Sequence, residues 1–199
     1  MKDLAQQDIQ GHDVPPPQRA PAAQGAERLF VEHAAWVGGF VRRLGLRAPE
    51  EIEDVVQETF LVVHRRGGYQ PGPARPRTWL AEIAVRVVHA RRRAVRRAPT
   101  PDEDAVGAAP SGGGGPLAAA EAAEALAHVQ RALDTLDLDR RALFVLFELD
   151  GEPCDQLASS FGVPIGTIYS RLHAARRDFL AAYARITGAR RPERVRDRP

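Results

Sequence analysis

The stretch GEPCDQLASSFGVPIGTIYSRLHAARRDFL, residues 151–180, decides the fold of the second half of the chain. Leu157 and Ala158 place apolar side chains on one face of a short predicted helix. Gly162 permits a sharp turn after that helix, and Val163 fills the space between it and the next one. The pattern predicts two helices joined by a tight turn, the arrangement called a helix-turn-helix.

The second of these helices has an apolar inner face and a polar, basic outer face. Ile168, Leu172 and Ala175 recur at helical spacing and are expected to point inward. Hydroxyl and guanidinium groups on the outer face can bind base edges or phosphates in a major groove. The alternative is a helical hairpin in a bundle, with a solvated basic face. The candidate DNA-binding residues are Thr167, Tyr169, Ser170, Arg171, His173, Arg176 and Arg177.

Helical periodicity also organises the first half of the chain. One apolar face runs from Leu29 to Leu44, and a second helix is expected from about Pro49. Residues 69–77 are rich in Pro and Gly and are therefore predicted to form a loop. Thr78 is a candidate cap for a third helix, which continues into a run of arginines.

Shifts in composition divide the chain into segments. Residues 1–25 are predicted to be a disordered tail, and the Pro- and Gly-rich residues 98–119 a flexible linker. Residues 26–97 and 120–187 can each bury a modest core, and residues 188–199 are a basic tail. No convincing strand pattern appears. The predicted fold class is all-α, with two small helical domains joined by a flexible linker and the helix-turn-helix in the second.

Charge is segregated along the chain, although the formal net charge is only +2. Residues 64–97 contain ten arginines and a single acid, Glu82. Residues 98–137 contain seven acids and a single arginine, Arg131. Segregation of this kind indicates one surface for a polyanion and another that avoids it.

Several classes of protein are excluded by what the sequence lacks. A single cysteine excludes an internal disulfide and a multi-cysteine zinc site. The six histidines form no metal-binding motif, and no glycine loop is placed to bind phosphate, so we predict no enzyme, no metal and no cofactor. No apolar run approaches the roughly 20 residues that span a bilayer. The chain is therefore predicted to stay out of membranes, in a reducing cytoplasm.

Three segments resemble a known family. GVPIGTIYSRLHAARRDF resembles the fourth-region recognition helix of extracytoplasmic-function sigma factors, a subfamily of the sigma-70 type. IEDVVQETFLVVHRR, residues 52–66, is similar to the segment that docks on polymerase, and RTWLAEIAVRVVHARRRAVRR, residues 77–97, to the promoter-melting helix. The resemblance covers about residues 27–185 in the expected order. It implies a bacterial sigma factor that binds core RNA polymerase, through its β′ and β subunits, and promoter DNA.

The resemblance implies a polymerase-binding face on the second helix. Asp54, Gln57 and Glu58, with Thr59 and Phe60, would lie on the face that grips a coiled coil of the largest polymerase subunit. The residue types agree, because carboxylates and an amide one turn apart form a polar stripe beside an aromatic anchor. The alternative is a solvated acidic face.

The resemblance also implies contacts with the minus-ten promoter element. Tyr69 would stack on an unstacked base, while Arg75 and Arg77 would bind phosphates. The family commonly has Asn where this chain has Arg86. If five arginines at the end of the third helix neutralise five phosphates, the logarithm of the DNA affinity should fall with the logarithm of salt at a slope of about −4 to −5. The candidate minus-ten residues are Tyr69, Arg75, Arg77, Arg86, Arg91, Arg92, Arg93, Arg96 and Arg97.

Two further features keep alternatives open. The acidic linker residues Asp102, Glu103 and Asp104 would, by resemblance, thread into basic polymerase channels, or would serve as a simple tether. Sequestration by an anti-sigma protein is common in the family, although no residue pattern here requires it. The rival function is a helix-turn-helix regulator that binds specific duplex DNA alone and does not join polymerase.

Overall fold

The computed structural model describes residues 23–97 and 116–188. Within these ranges the chain is helical, apart from turns and an isolated antiparallel bridge between Gln24 and Tyr69. The prediction of an all-α fold is confirmed. The predictions for most of the two tails and for residues 98–115, which include Asp102, Glu103 and Asp104, lie outside the described residues.

Three helices form the first half: α1 (Ala26–Arg43), α2 (Pro49–Arg65) and α3 (Pro76–Arg97). A proline begins both α2 and α3, where its fixed φ suits the helix and its missing N–H is not needed. Glu50 and Glu51 lie in the first turn of α2, where the positive end of the helix dipole stabilises their negative charge. The three helices pack around a core to which each contributes, as with Phe40, Val55 and Leu80.

The second half contains α4 (Pro116–Asp134), α5 (Leu138–Phe144), α6 (Cys154–Phe161) and α7 (Ile165–Thr187). The Asp137 side chain caps α5 by accepting a hydrogen bond from the backbone N–H of Arg140 at 2.9 Å. A π-helical turn, Val145–Leu149, continues α5. Gly162 ends α6 in the left-handed conformation at φ +63°, which a residue without Cβ adopts at little cost. The predicted helix-turn-helix is therefore formed by α6, this turn and α7.

The buried side chains of the two halves form one continuous apolar cluster. Helix α3 packs against both α5 and α6. The halves thus pack against each other in this structure, an arrangement that the sequence analysis left open.

Polar contacts at several places join the halves, including His89 with Asp139 at 2.7 Å, and two of these places involve buried side chains. At the end of α1, the buried Arg141 donates to the carbonyl of Leu44 at 2.8 Å, and Arg92 donates to the same carbonyl at 2.8 Å. Arg141 also donates to the Leu136 carbonyl at 3.0 Å and to Asp134 at 2.9 Å. Burial lowers the pKa of Arg141, and the charge of Asp134 partly opposes that change.

The second junction lies at the start of α3. Thr78 donates its hydroxyl to Glu152 at 2.7 Å, and both side chains are buried. Arg43 donates to both carboxylate oxygens of Asp150 at 3.2 Å. The prediction that Thr78 caps α3 is wrong, because the helix begins two residues earlier at Pro76 and the hydroxyl is used between the halves instead.

Candidate functional site

One face of α2 carries an acidic stripe formed by Asp54, Gln57 and Glu58. Asp54 and Gln57 are exposed, and Glu58 is half-buried. Arg91 of α3 donates to Glu58 at 3.1 Å and to Asp54 at 3.2 Å. Burial alone would lower the pKa of Arg91, but the hydrogen bonds to Glu58 and Asp54 raise it above its usual value. The acidic stripe is therefore open to a partner, yet it already holds a cation from its own chain.

The structure does not place Thr59 and Phe60 on this stripe. Thr59 is fully buried and donates its hydroxyl to the carbonyl of Val55 at 2.7 Å. Phe60 is 7% exposed, and its ring meets that of Phe30 edge-on at 5.1 Å. Because successive residues turn by about 100° around a helix, these two side chains face the core while the acidic stripe faces outward. Thr59 and Phe60 therefore pack in the core in this conformation, and their contact with polymerase stays a prediction.

Tyr69, predicted to stack on a base, is buried in the loop between α2 and α3. Its hydroxyl donates to the carbonyl of Ala74 at 2.7 Å, and its ring meets Trp79 edge-on at 5.7 Å. Its backbone exchanges two hydrogen bonds with Gln24, at 2.9 and 3.0 Å. The prediction of an available ring is wrong for this conformation, because the phenol is used to hold the loop together. Trp79 packs partly buried against the core.

A polar pocket of about 390 Å³ lies beside this loop. Arg77 lines it and also sits 5.7 Å above the ring of Trp36, a cation–π contact that sequence analysis missed. Burial and, secondarily, the charge of Arg77 hold the pKa of His33 below its usual value. Asp150 and Glu152 of the second half complete the lining. In the sequence, a tryptophan within a helix looks like any other core residue, so no signal there predicts that Trp36 contacts Arg77.

Arg86 is exposed on α3 and forms an ion pair one turn back with the buried Glu82. Arg66 lies 3.9 Å from the same carboxylate. Burial raises the pKa of Glu82, although both arginines act against the rise. The Nε of Arg86 therefore contacts Glu82, while most of the side chain remains exposed to solvent.

The five arginines at the end of α3 fall into two groups. Arg91 holds the acidic stripe, and Arg92 holds the Leu44 carbonyl. The other three are exposed and take part in no ion pair or hydrogen bond within residues 23–97 and 116–188: Arg93, Arg96 and Arg97. The structure thus brings the cluster to one end of α3 and leaves three of its five members without a partner among the described residues.

Helix α7 presents the predicted DNA-binding face. Ile168, Leu172 and Ala175 are buried against the rest of the second half, as the periodicity predicts. This packing turns the rest of α7 outward, so all seven predicted side chains are at least partly exposed. Tyr169 is 57% exposed. The remainder are exposed (Ser170, His173, Arg176 and Arg177) or half-buried (Thr167 and Arg171).

Two arginines of this face have partners inside the second half. Arg176 pairs with Glu148 and lies 5.1 Å above the ring of Phe147. Arg177 bonds Asp178 at 2.9 Å. Surface pairs of this kind are weak, so both guanidiniums can exchange an internal carboxylate for a phosphate.

Within residues 23–97 and 116–188, no group of three or more His, Cys, Asp or Glu side chains is placed to hold a metal ion. In the same part of the chain, no helix is both long and apolar enough to cross a membrane.

Comparisons with known proteins define the class. Residues 29–98 match the family described as Sigma-70 region 2, and residues 126–179 the family described as Sigma-70, region 4. These regions belong to sigma factors, non-enzymatic subunits that direct RNA polymerase to promoters. The chain is 34% identical over 134 residues to the ECF RNA polymerase sigma-E factor of Escherichia coli, covering 63% of this chain and 70% of the relative. It belongs to the extracytoplasmic-function family of sigma-70-type sigma factors.

Two further relatives agree with this assignment. The RNA polymerase sigma factor HrpL of Pseudomonas syringae is 28% identical over 167 residues, covering 82% of this chain and 90% of that protein. The sigma factor RpoE of Bartonella quintana, solved in complex with the anti-sigma factor NepR, superposes with a TM-score of 0.59 at 21% identity, covering 83% of this chain and 98% of that one. At that identity the structural match shows the fold alone. The predicted sigma function is confirmed, and the stand-alone regulator is not favoured.

Proposed function

We propose that the two halves divide the work of promoter recognition. Residues 26–97 would dock on core polymerase and melt the minus-ten element, and residues 120–187 would hold the minus-thirty-five element through α7. The observation that carries the proposal is that the acidic stripe of α2 and the polar face of α7 are both exposed on a protein whose halves pack together. Each surface can therefore meet its partner without unfolding either half.

The acidic stripe would bind the basic surface of a polymerase coiled coil. Asp54, Gln57 and Glu58 supply carboxylate and amide acceptors within about one helical turn. Thr59 and Phe60 would support the stripe from beneath by fixing α2 against the core. Charged rims of this kind chiefly set association rate and partner choice.

The packed arrangement would have to open on the promoter. The two elements are named for positions about 25 base pairs apart, roughly 85 Å along B-DNA. In the structure α3 and α6 are in direct contact, so one molecule in this form cannot reach both elements. Residues 98–115 number 18, and a chain of that length spans at most about 60 Å when fully extended. The linker alone falls about 25 Å short of that distance, and the halves themselves would supply the rest, since α7 with its 23 residues is about 35 Å long.

The junction between the halves would also hinder minus-ten binding in the free protein. Glu152 covers the Thr78 hydroxyl, and Gln156 accepts a hydrogen bond from the backbone N–H of Arg75 at 3.1 Å. Asp150 and Glu152 bring negative charge to the loop that would receive DNA. Phosphates approaching this loop would meet carboxylates first, which weakens binding.

An anti-sigma protein would be a natural regulator of this chain. The Bartonella RpoE structure holds its sigma factor in complex with the anti-sigma factor NepR. A partner that contacts both halves at once would favour the packed arrangement over the open one, because it binds only the former. We further propose that the chain acts in the bacterial cytoplasm, associated with the nucleoid as part of the holoenzyme, without enzymatic activity or a cofactor.

The test is reconstitution with bacterial core polymerase. The purified chain should co-elute with core on size exclusion, and run-off transcripts from genomic fragments should begin downstream of two motifs at fixed spacing. The double variant Asp54→Asn/Glu58→Gln should lose co-elution while keeping its helical circular dichroism. Specific duplex binding by the chain alone, with no co-elution from an active core, would instead establish the stand-alone regulator.

A further inference from the structure

Arg91 joins the two surfaces that the proposed function keeps separate. It projects from the arginine-rich end of α3, yet its guanidinium bridges Asp54 and Glu58 of the acidic stripe at 3.2 and 3.1 Å. The three side chains are 36%, 58% and 45% exposed, so the bridge lies at the surface. Exposed ion pairs are weak and readily exchanged, which makes this contact replaceable by an outside partner.

The surroundings of Arg91 supply an alternative place for its charge. Arg91, Arg92 and Arg96 line a groove of about 360 Å³ together with apolar side chains such as Val88 and a single acid, Glu51. A guanidinium released from the stripe would stand beside Arg96, which has no internal partner in the described part of the chain. Two neighbouring guanidiniums repel each other unless an anion lies between them. A DNA phosphate at this end of α3 would satisfy both.

We propose that Arg91 is an internal competitor for the acidic stripe and that its exchange couples polymerase binding to DNA binding. This inference rests on the proposed polymerase-binding role of the stripe. In the free protein Arg91 neutralises the two carboxylates that a basic polymerase surface would bind. When polymerase takes those carboxylates, Arg91 is released toward the groove, where a phosphate can bind it.

Thermodynamic linkage makes the coupling reciprocal. If polymerase docking frees Arg91 and so raises affinity for DNA, then DNA that captures Arg91 must raise affinity for polymerase by the same factor. A sigma factor with this device binds each partner less tightly alone than in the presence of the other. Arg91 thus occupies the stripe in the free protein and contacts a phosphate in the complex.

The experiment measures core polymerase binding to the full-length chain by fluorescence anisotropy, with a dye at the N-terminus, with and without a promoter duplex. The test variant is Arg91→Gln, and Arg91→Lys is a second variant, because a lysine cannot reach both carboxylates with a fixed fork of donors. The matched control is Arg42→Gln, which removes the same charge from an exposed position on α1 that has no ion pair in the described part of the chain. Circular dichroism confirms that each variant is folded.

Without DNA, Arg91→Gln should bind core about two- to fivefold more tightly than the wild type, the range that corresponds to one exposed ion pair. Arg91→Lys should fall between them, and Arg42→Gln should match the wild type. With saturating promoter duplex the advantage of Arg91→Gln should disappear, because DNA already removes Arg91 from the wild-type stripe. Unchanged or weaker core binding by Arg91→Gln without DNA overturns the inference. If the folded wild type itself fails to bind an active core, the proposed function fails, and that outcome is distinct.

Discussion

Arg141 is a buried link between the two halves, and its replacement tests whether they stabilise each other. Arg141→Met keeps an unbranched apolar stem but removes the guanidinium bonds to the carbonyls of Leu44 and Leu136 and to Asp134. The Leu44 carbonyl retains Arg92 as a donor. The Leu136 carbonyl loses its side-chain donor, at a cost of about 1–3 kcal/mol for a buried unsatisfied acceptor.

Burial of the charge offsets part of this loss. Desolvation already lowers the pKa of Arg141, so the charged form is held at some cost, and a methionine removes that cost. We therefore expect a net loss of about 2 kcal/mol from the free energy of unfolding. With a urea m value of about 2 kcal/mol per M, the unfolding midpoint should fall by about 1 M.

Tryptophan fluorescence makes this measurement specific to the first half. The chain has two tryptophans, Trp36 and Trp79, and both lie in the first half, whereas Arg141 lies in the second. The control is Arg140→Met, which removes the neighbouring guanidinium with its 3.2 Å contact to Asp178 inside the second half. If the halves unfold together, the fluorescence midpoint should fall with Arg141→Met much more than with the control. If the urea midpoint measured by fluorescence is unchanged while the midpoint measured by circular dichroism falls, the two halves do not unfold together.

Three further predictions concern opening, pH and salt. Glu152→Ala removes the acceptor of the buried Thr78 hydroxyl and should let the halves separate more often. Single-molecule energy transfer between a dye on each half should then report a longer distance, and an unchanged distance would show that this contact does not hold the halves together. Burial and, secondarily, the charge of Arg77 lower the pKa of His33, so the unfolded chain binds the proton more readily than the folded one. His33 should therefore reduce the free energy of unfolding as pH falls below about 6.5. The wild type should lose more stability than His33→Gln between about pH 7.5 and pH 5.5, and an equal loss in both proteins would exclude His33 as its source. With Arg92 held by the Leu44 carbonyl and Arg91 passing from the acidic stripe to a phosphate, duplex binding by the free chain should show a salt slope of about −3.6 from four phosphates instead of the −4 to −5 expected from five, and a slope of about −2.7 would mean that Arg91 stays on the stripe.

The polar contacts at the junctions suit an arrangement that opens, while the apolar cluster that continues between the halves sets a cost for opening. Arg43 with Asp150 and Thr78 with Glu152 are pairs whose members can each be hydrated when the halves part. A junction made only of apolar side chains would expose a larger patch on opening, which favours aggregation. Contacts between domains within one chain are commonly polar for this reason and permit relative motion.

The local patterns of the chain were sufficient for its helices and for the face of α7. Ile168, Leu172 and Ala175 recur at the helical period, so their burial and the exposure of the opposite face follow from spacing alone. The same argument separates the exposed Asp54 from the buried Thr59, but the resemblance to a family grouped both on one surface. Helical geometry corrected that grouping.

The sequence by itself determined the helical class of the described halves, the helix-turn-helix and the family, because each depends on local periodicity and on motifs of a few dozen residues. Only the tertiary structure decided that Tyr69 is buried, that Thr78 bonds Glu152, and that Arg91 bridges Asp54 and Glu58. These contacts join residues from 5 to 74 positions apart. An exposed arginine looks the same in sequence whether it faces phosphate or carboxylate, because its partner is set by how the helices pack and not by its neighbours in the chain.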